Sequence, residues 1–444
     1  MILGFKFGLL FLILFLWRVA TRLRRSPTSN VSRLKAHPLP TKEELEAVSY
    51  SDIDLLATIP PATHSRYVVI GGSGFLGTYI VRLLIMRGET NIQILDVNPP
   101  PVAIGNDPSV SFIKTDITSL DSLRQAMPAE HNSPTVIFHV AATIRFWERA
   151  EYCFSASHHI NVLGTKNVLQ LAQELSNSMM IYTSSIDTVL PMPKFLRADW
   201  DVFPAIIDDD TPVPTHIHEG CYARSKRMAE QLVVEASINQ GLKTGILRPG
   251  GTILGPNDRL VSSTLTMSQV PIWDEPWTGI HICAWDAAAA HLLLEDALNC
   301  IPEQVSGQGF AITGRGPPWS MENIRKVIQH YATRDLTFIT IPPLWIYLMA
   351  HIMESFLFLR YFILLPLASM MGQKPSLTPR WLGAAVFLQP STLDVQLIDV
   401  AIDDSRARKL LRYRPQWDIL QAIRYSVDEI QSGTVAAEHG LRVY

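Results

Sequence analysis

Three groups of residues carry the chemistry this chain could do. Gly71-Gly72-Ser73-Gly74-Phe75-Leu76-Gly77 spaces glycines three apart, and a turn without side chains lets a pyrophosphate reach backbone N–H groups at a helix start. Asp96 ends a later apolar run. A carboxylate there accepts hydrogen bonds from a ribose diol and repels a 2′-phosphate, so NAD is favoured over NADP. Tyr222-Ala223-Arg224-Ser225-Lys226 sets a phenol and an ammonium one helical turn apart. A free phenol has a pKa near 10, so only about a thousandth is ionised at neutral pH. A cation one turn away favours the phenolate, which can take an alcohol's proton while hydride leaves the adjacent carbon. Tyr222 and Lys226 are therefore the catalytic pair, and Gly71, Gly74, Phe75, Leu76, Gly77 and Asp96 the core of a dinucleotide site; Lys226 can also hydrogen-bond the cofactor ribose. Each group has a plainer reading too: a tight turn, a strand-end residue, an ordinary helix face. Their order along one pattern favours the site.

That pattern alternates strands with helices. Tyr67–Ile70, Ile92–Leu95, Val110–Ile113, Val136–Val140, Met179–Ser184 and Thr244–Leu247 read as strands, and Thr78–Met86, Val162–Leu175 and Tyr222–Asn239 as helices. Alternation of this kind implies an α/β fold, a doubly wound parallel sheet of Rossmann type, with ligand at the carboxyl ends of the strands. The glycine turn then sits between the first strand and the first helix. Asp116 follows the third strand and either caps a helix starting near Thr118 or faces the ligand.

With 444 residues the chain accommodates a nucleotide-binding domain, a smaller substrate-binding portion and extra segments. The net charge of −3 and the lack of a basic stripe with interleaved aromatics argue against nucleic acid as a partner. Cys153, Cys221, Cys283 and Cys300 lie far apart without CxxC spacing, so neither a metal site nor a dense disulfide framework is expected.

Phe7 to Trp17 is uninterrupted apolar sequence, and Ile2 to Ala20 approaches bilayer-spanning length if Lys6 and Arg18 snorkel to the interfaces. Positive charge follows this run (Arg18, Arg22, Arg24, Arg25, Arg33, Lys35), and Arg18 would stand where a cleaved signal needs a small residue. Residues 1–25 are thus expected to be an uncleaved membrane anchor, spanning or monotopic, with the catalytic bulk in the cytosol by the positive-inside rule. On that topology Asn30-Val31-Ser32 is not glycosylated. Residues 26–64 read as a linker, 65–255 as the nucleotide-binding domain and 256–435 as the substrate-binding portion. Within the latter, 342–371 is strongly apolar but interrupted by Glu354, Arg360 and Pro366, which suggests a membrane-proximal amphipathic or re-entrant segment.

GxxGxxG with YxxxK resembles the short-chain dehydrogenase/reductase superfamily, and further stretches resemble its extended branch. These are His139-Val140-Ala141-Ala142, the helix containing Asn161, Tyr182-Thr183-Ser184-Ser185, and Leu247-Arg248-Pro249 running to Gly255-Pro256-Asn257-Asp258. The resemblance implies that Ser185 holds the substrate oxygen, with Ser184 the fallback, and that Asn161, otherwise an N-cap, helps organise the site. It adds Asp116, Ile117, Ala141, Ala142 and Pro249 to the cofactor-binding set. In the carboxyl-terminal third, Gly309-Phe310-Ala311-Ile312-Thr313, Ile341-Pro342, Leu377-Thr378-Pro379-Arg380 and Ala407 to Pro415 recur in order. From about residue 65 to 430 the chain resembles the 3β-hydroxysteroid dehydrogenase family, and within it the branch acting on sterol 4α-carboxylates.

What the resemblance implies is an NAD-dependent, endoplasmic-reticulum enzyme that oxidises the 3β-hydroxyl of a sterol or triterpenoid 4-carboxylate with loss of carbon dioxide. Its implied partners are the membrane, a second copy of the chain and other sterol-biosynthetic enzymes. Departures from the family pattern are Ile70 before the glycines, Arg412-Tyr413-Arg414-Pro415 for Gly-Tyr-x-Pro, and His281 to Asp286 for the usual Val-Asp-Asn. They leave the cofactor site intact and bear on the substrate. The alternatives are a 3β-hydroxysteroid dehydrogenase/Δ5-Δ4 isomerase, a dihydroflavonol-type reductase, and an NAD-binding scaffold without catalysis.

Overall fold

The computed structural model describes residues 2–23, 36–128, 134–175, 177–190, 205–207, 220–275, 277–397 and 400–433. Asn30, Arg24, Arg25, Arg33 and Lys35 lie outside the described residues. The first helix, α1 (Ile2–Leu23), precedes a seven-stranded sheet whose opening unit is β1 (Arg66–Ile70), α2 (Phe75–Arg87) and β2 (Ile92–Asp96). There follow β3 (Val110–Lys114), β4 (Thr135–His139), α3 (Thr165–Glu174), β5 (Ser178–Thr183), α4 (Cys221–Gln240), β6 (Lys243–Pro249), α5 (Arg259–Thr266), α6 (Ala284–Cys300), β7 (Gln308–Ile312), α7 (Pro343–Met370) and α8 (Ile419–Gln431).

All strands of the sheet run parallel in the order β7-β6-β5-β4-β1-β2-β3. Strand order reverses between β1 and β4, and an open parallel sheet binds its ligand outside that switch point. The run Tyr67-Val68-Val69-Ile70 is fully buried because both faces are covered. Tyr67 and Val69 join one core with Tyr79 and Ile80 of α2 and Leu294 of α6, while Val68 and Ile70 join another with Val168 of α3 and Val233 of α4. The last strand comes from beyond residue 255: β7 pairs with β6 from Gln308↔Gly245 to Ile312↔Pro249.

The helix expected from Val162 begins earlier. An α-helical turn over Glu151–Ser157 leads into a π-helical stretch, His158–Gly164, and that into α3. Such widened turns often mark functional sites.

α7 is a continuous helix of 28 residues, running through the interruptions of the apolar run at Glu354, Arg360 and Pro366. Pro366 stands near its end, so only one turn follows the missing N–H. Its charges face the body of the protein: Glu354 accepts two hydrogen bonds from Arg149, at 2.7 and 2.8 Å, and Arg360 donates to the Ser376 carbonyl at 2.8 Å. The other face is apolar and exposed, with Trp345, Ile352, Leu359 and Ile363. Among the described residues this is the one helix long and apolar enough to cross a membrane. The end of α1 packs on it, Val19 and Leu23 being buried with Ile346, Tyr347 and Ala350, while Phe11, Ile13, Leu14 and Trp17 stay exposed.

Candidate active site

The glycine turn closes β1 over the switch point. Gly71 has φ +86°, and a Cβ there would lie 2.6 Å from the backbone nitrogen of Ala141, which itself donates to the Ile70 carbonyl at 2.9 Å. A Cβ on Gly77 would lie 2.1 Å from the Gly71 carbonyl oxygen, so only glycine lets α2 pack so close. Gly74 caps α2 without a side chain, leaving the first-turn N–H groups facing the turn. The Ser73 hydroxyl is buried with no partner among the described residues. Glycine cradle, open helix start and unpartnered hydroxyl together fit a pyrophosphate.

Asp96 ends β2 beside this turn. Its carboxylate accepts from the backbone N–H groups of Ser73 at 3.2 Å and Asn98 at 3.0 Å, which aims it across the mouth of the turn. Asp116 accepts from the Thr118 N–H and hydroxyl, at 2.9 and 2.8 Å, but the following helix, Leu120–Ala126, is capped by Ser119. Ile117 is buried at this edge: its carbonyl accepts from Asn167 at 2.9 Å, and a Cβ on Gly164 would approach its Cδ1 to 2.6 Å. Phe75 packs edge-on against Tyr79, and Leu76 is buried. Ala141 and Ala142 follow β4 at half-buried positions. Pro249 ends β6, and Gly250 after it donates to the Ile312 carbonyl at 2.8 Å.

Asn161 is no N-cap. It lies in the π-helical stretch, completely buried, and its amide exchanges hydrogen bonds with both backbone groups of Thr143, at 2.8 and 2.9 Å, and donates to Ser225 at 2.9 Å. This one side chain ties the segment after Ala142 to α4, and α4 carries Tyr222 and Lys226.

The Tyr222 phenol is buried, and the hydroxyl that acts on it is that of Ser185, which begins the short helical turn Ile186–Thr188 and accepts from the Asp187 N–H at 3.2 Å. Ser184 is turned inward, its N–H donating to the Leu247 carbonyl at 2.7 Å and its hydroxyl unpartnered. Of the two serines the structure brings Ser185 to Tyr222. Burial holds the Tyr222 pKa well above the ordinary phenol value, and the Asp187 carboxylate pushes the same way. The Ser185 hydrogen bond and the Arg259 guanidinium oppose them.

Lys226 points elsewhere. Its ammonium donates to the Thr183 carbonyl at 2.7 Å and lies 4.7 Å from the Tyr182 ring centroid. Burial lowers its pKa to about 7, partly offset by Glu230, which two hydrogen bonds from Arg248 at 2.9 and 2.8 Å hold in place. Of the cations among the described residues only Arg259 acts on the phenol, and its effect is the smallest of those there, so the phenol does not depend on it; spacing gave no sign of this residue.

Residues 68–329 match the 3-beta hydroxysteroid dehydrogenase/isomerase family. The chain belongs to that family. It is 28% identical to the sterol-4-alpha-carboxylate 3-dehydrogenase, decarboxylating, of Candida albicans, over 81% of this chain and 96% of that protein. It is 33% identical to a 3 beta-hydroxysteroid dehydrogenase/Delta 5-->4-isomerase of Vaccinia virus, over 44% of this chain and 54% of that protein. Its fold is that of the Thermus thermophilus UDP-glucose 4-epimerase solved as a complex with NAD, with TM-score 0.58 and 16% identity over 83% of this chain and all of that one. As a member of the 3-beta hydroxysteroid dehydrogenase/isomerase family the chain is an enzyme, and the cradle and Asp96 fit the nicotinamide dinucleotide of a dehydrogenase.

Two features of this family member escaped sequence reasoning. Asp187 is a half-buried carboxylic acid two residues beyond Ser185, with its pKa raised to about 6 by desolvation. Arg259 begins α5 directly after its N-cap Asp258, a poor place for a cation because the helix dipole is positive there. That misplacement was the available signal. Arg259 lies against an aromatic wall: its guanidinium is over Phe146, Phe146 stacks on Phe387 at 6.5 Å, and Trp147 meets the same ring edge-on at 4.6 Å, in one cluster with Leu357 of α7.

Proposed function

We propose that the protein is an NAD-dependent dehydrogenase of a 3β-hydroxy sterol or triterpenoid bearing a carboxylate at C4, and that oxidation at C3 is followed by decarboxylation. The observation that carries the reading is the Tyr222–Ser185 pair after the carboxyl end of β5, with the segment of Phe146 and Trp147 against the start of α4 at Gly220 and packed on Leu357 of α7. The name of the Candida relative, which aligns along 96% of its length, supports the carboxylated substrate.

NAD, when bound in the cradle of Gly71, Gly74 and Gly77 with Asp96 on its ribose, supplies the acceptor for the C3 hydride. Ser185 and Tyr222 hold the substrate oxygen, and Tyr222 as phenolate takes the hydroxyl proton. Lys226, which donates to the Thr183 carbonyl at 2.7 Å, would also hydrogen-bond the ribose. The product is a β-keto acid. Its C4–carboxylate bond breaks, the electron pair passes into the enolate at C3, and carbon dioxide leaves. Hydrogen bonds from Ser185 and protonated Tyr222 stabilise the enolate oxygen, and C4 then takes a proton from water.

Residues 65–255 form the nucleotide-binding portion in this reading, and 256–435 the substrate portion. α1 and the exposed face of α7 attach the enzyme to the endoplasmic-reticulum membrane, with the catalytic portion in the cytosol, so that a sterol passes from bilayer to site beneath α7. A homodimer and association with other sterol-biosynthetic enzymes belong to the same reading. Incubation with NAD and sterol extracts, with mass spectrometry of the products, tests it: a 3-keto product lighter by one carboxyl group supports it, and no consumption of any 3β-hydroxy sterol rejects it.

A dehydrogenase/isomerase is the second reading. It is favoured by the viral relatives' names and by Asp187, a carboxyl group beside Tyr222 able to carry a proton between ring carbons. A conjugated 3-ketone formed from a Δ5 sterol would identify it.

A further inference from the structure

We propose that Arg259 is the residue that recognises the C4 carboxylate of the substrate. The inference rests on the function proposed above and identifies the cation that function needs, because a carboxylate entering an apolar site is costly unless a cation partners it.

The other arginines near the site are already neutralised. Arg145 pairs with Glu148, Arg149 with Glu354 and Asp394, Arg224 with Glu151, and Arg248 with Glu230. No carboxylate among the described residues pairs with Arg259. Its guanidinium lies over the Phe146 ring, 5.4 Å from the centroid, so the aromatic wall of the cleft supports it from one side. The side chain is exposed and so open to an incoming ligand, while the protein packed on its inner side weakens its hold on the proton.

Its position is fixed from below. Asp258 caps α5 through the Val261 N–H at 2.7 Å and holds the preceding turn through the Gly255 N–H at 3.0 Å. A cation at the first position of a helix opposes the helix dipole, so helix stability does not account for it.

Packing connects Arg259 to C4. The guanidinium lies over Phe146, and the Phe146 carbonyl faces Gly220, the residue that caps α4 two positions before Tyr222, where a Cβ would come within 3.5 Å of it. Tyr222 meets the C3 oxygen, and a C4 carboxyl carbon is three bonds from that oxygen, so a substrate seated on Tyr222 brings its carboxylate into the same neighbourhood. Arg259 offers a planar fork of donors suited to a carboxylate. The contact serves binding and the hydride step. It does not assist the departure of carbon dioxide, whose electrons move toward C3.

The test compares Arg259→Leu and Arg259→Lys with the unaltered full chain in detergent micelles, on two substrates: a 4α-carboxylated 3β-hydroxy sterol and the same sterol without the carboxyl group. Binding of each is titrated without NAD, and oxidation is followed with NAD. The expected result is that Arg259→Leu weakens binding and raises KM for the carboxylated sterol roughly 10- to 100-fold, the range of one charge-assisted contact. The uncarboxylated sterol is affected less than about threefold, and Arg259→Lys recovers part of the loss. A parallel fall in kcat on both sterols would assign Arg259 to Tyr222 ionisation instead, and unchanged binding of the carboxylated sterol would also overturn the proposal. Unaltered NADH binding and melting temperature show that the variants fold. If the unaltered enzyme neither binds nor oxidises the carboxylated sterol, the proposed function fails, and the role of Arg259 fails with it; if it does both and Arg259→Leu changes neither, only the role of Arg259 fails.

Discussion

Tyr222 and Lys226 stand one turn apart on the same helix and serve different partners. The phenol is influenced by the Ser185 hydroxyl, whereas the ammonium donates to the Thr183 carbonyl at 2.7 Å. In the proposed mechanism proton transfer and cofactor contact are therefore divided between the two. The division matters because burial acts against the charged form of each side chain, raising the phenol pKa and lowering that of the ammonium to about 7.

Tyr222→Phe is expected to reduce turnover by about 10²- to 10⁴-fold, the usual contribution of a general base, while NADH binding stays within about twofold. Lys226→Ala is expected to lower both. Steady-state rates and fluorescence titration of NADH check this, and a near-normal rate for Tyr222→Phe would remove Tyr222 from the reaction.

Asp96→Ala is expected to raise KM for NAD roughly tenfold, as loss of one charge-assisted contact would, and to narrow the preference over NADP. The carboxylate also accepts from the Ser73 N–H at 3.2 Å, so Asp96→Asn, which keeps an acceptor there, separates the cofactor effect from loosening of the turn. Equal use of both cofactors by the unaltered protein would contradict the assignment.

Buried Lys226 makes stability depend on pH. Its folded pKa of about 7 lies below the ordinary lysine value of 10.5, so the unfolded chain binds more protons between those values. Its contribution is full above the unfolded pKa and is lost as pH falls toward 7. Measured by denaturant without cofactor, the stability difference between the unaltered protein and Lys226→Met is expected to move in favour of the unaltered protein from pH 7 to pH 9. A difference independent of pH would show that Lys226 titrates normally.

The part of this architecture set by backbone periodicity was legible in the residues. Tyr67–Ile70, the glycine turn and Tyr222–Lys226 form the elements their spacing predicts, because buried parallel strands and a side-chain-free turn leave local marks in sequence. Arg259 and Asp187 were not legible, since what brings them to Tyr222 is the return of the chain after β5 and β6. Asn161 was half legible: its presence stood out, but its bonds to Thr143 and Ser225 depend on a π-helical stretch that periodicity does not show. The charges inside Pro343–Met370 read as interruptions of a span, and only the fold reveals Arg149 waiting for Glu354.

Attachment by α1 and α7 predicts that the protein resists carbonate extraction from microsomes. Replacing Ile352, Leu359 and Ile363 with serine together with removal of α1 should release it, since both exposed apolar surfaces are then lost. Protease added to sealed microsomes is expected to digest the catalytic portion. Full protection, or a glycan on Asn30, would reverse the orientation.

The most direct test supplies a 4α-carboxylated 3β-hydroxy sterol with NAD and follows NADH and carbon dioxide in the same vessel. The account predicts both in a ratio of one to one, with neither formed by Tyr222→Phe. NADH formed only from 3β-hydroxysteroids that lack the carboxyl group, with no carbon dioxide released, would contradict it.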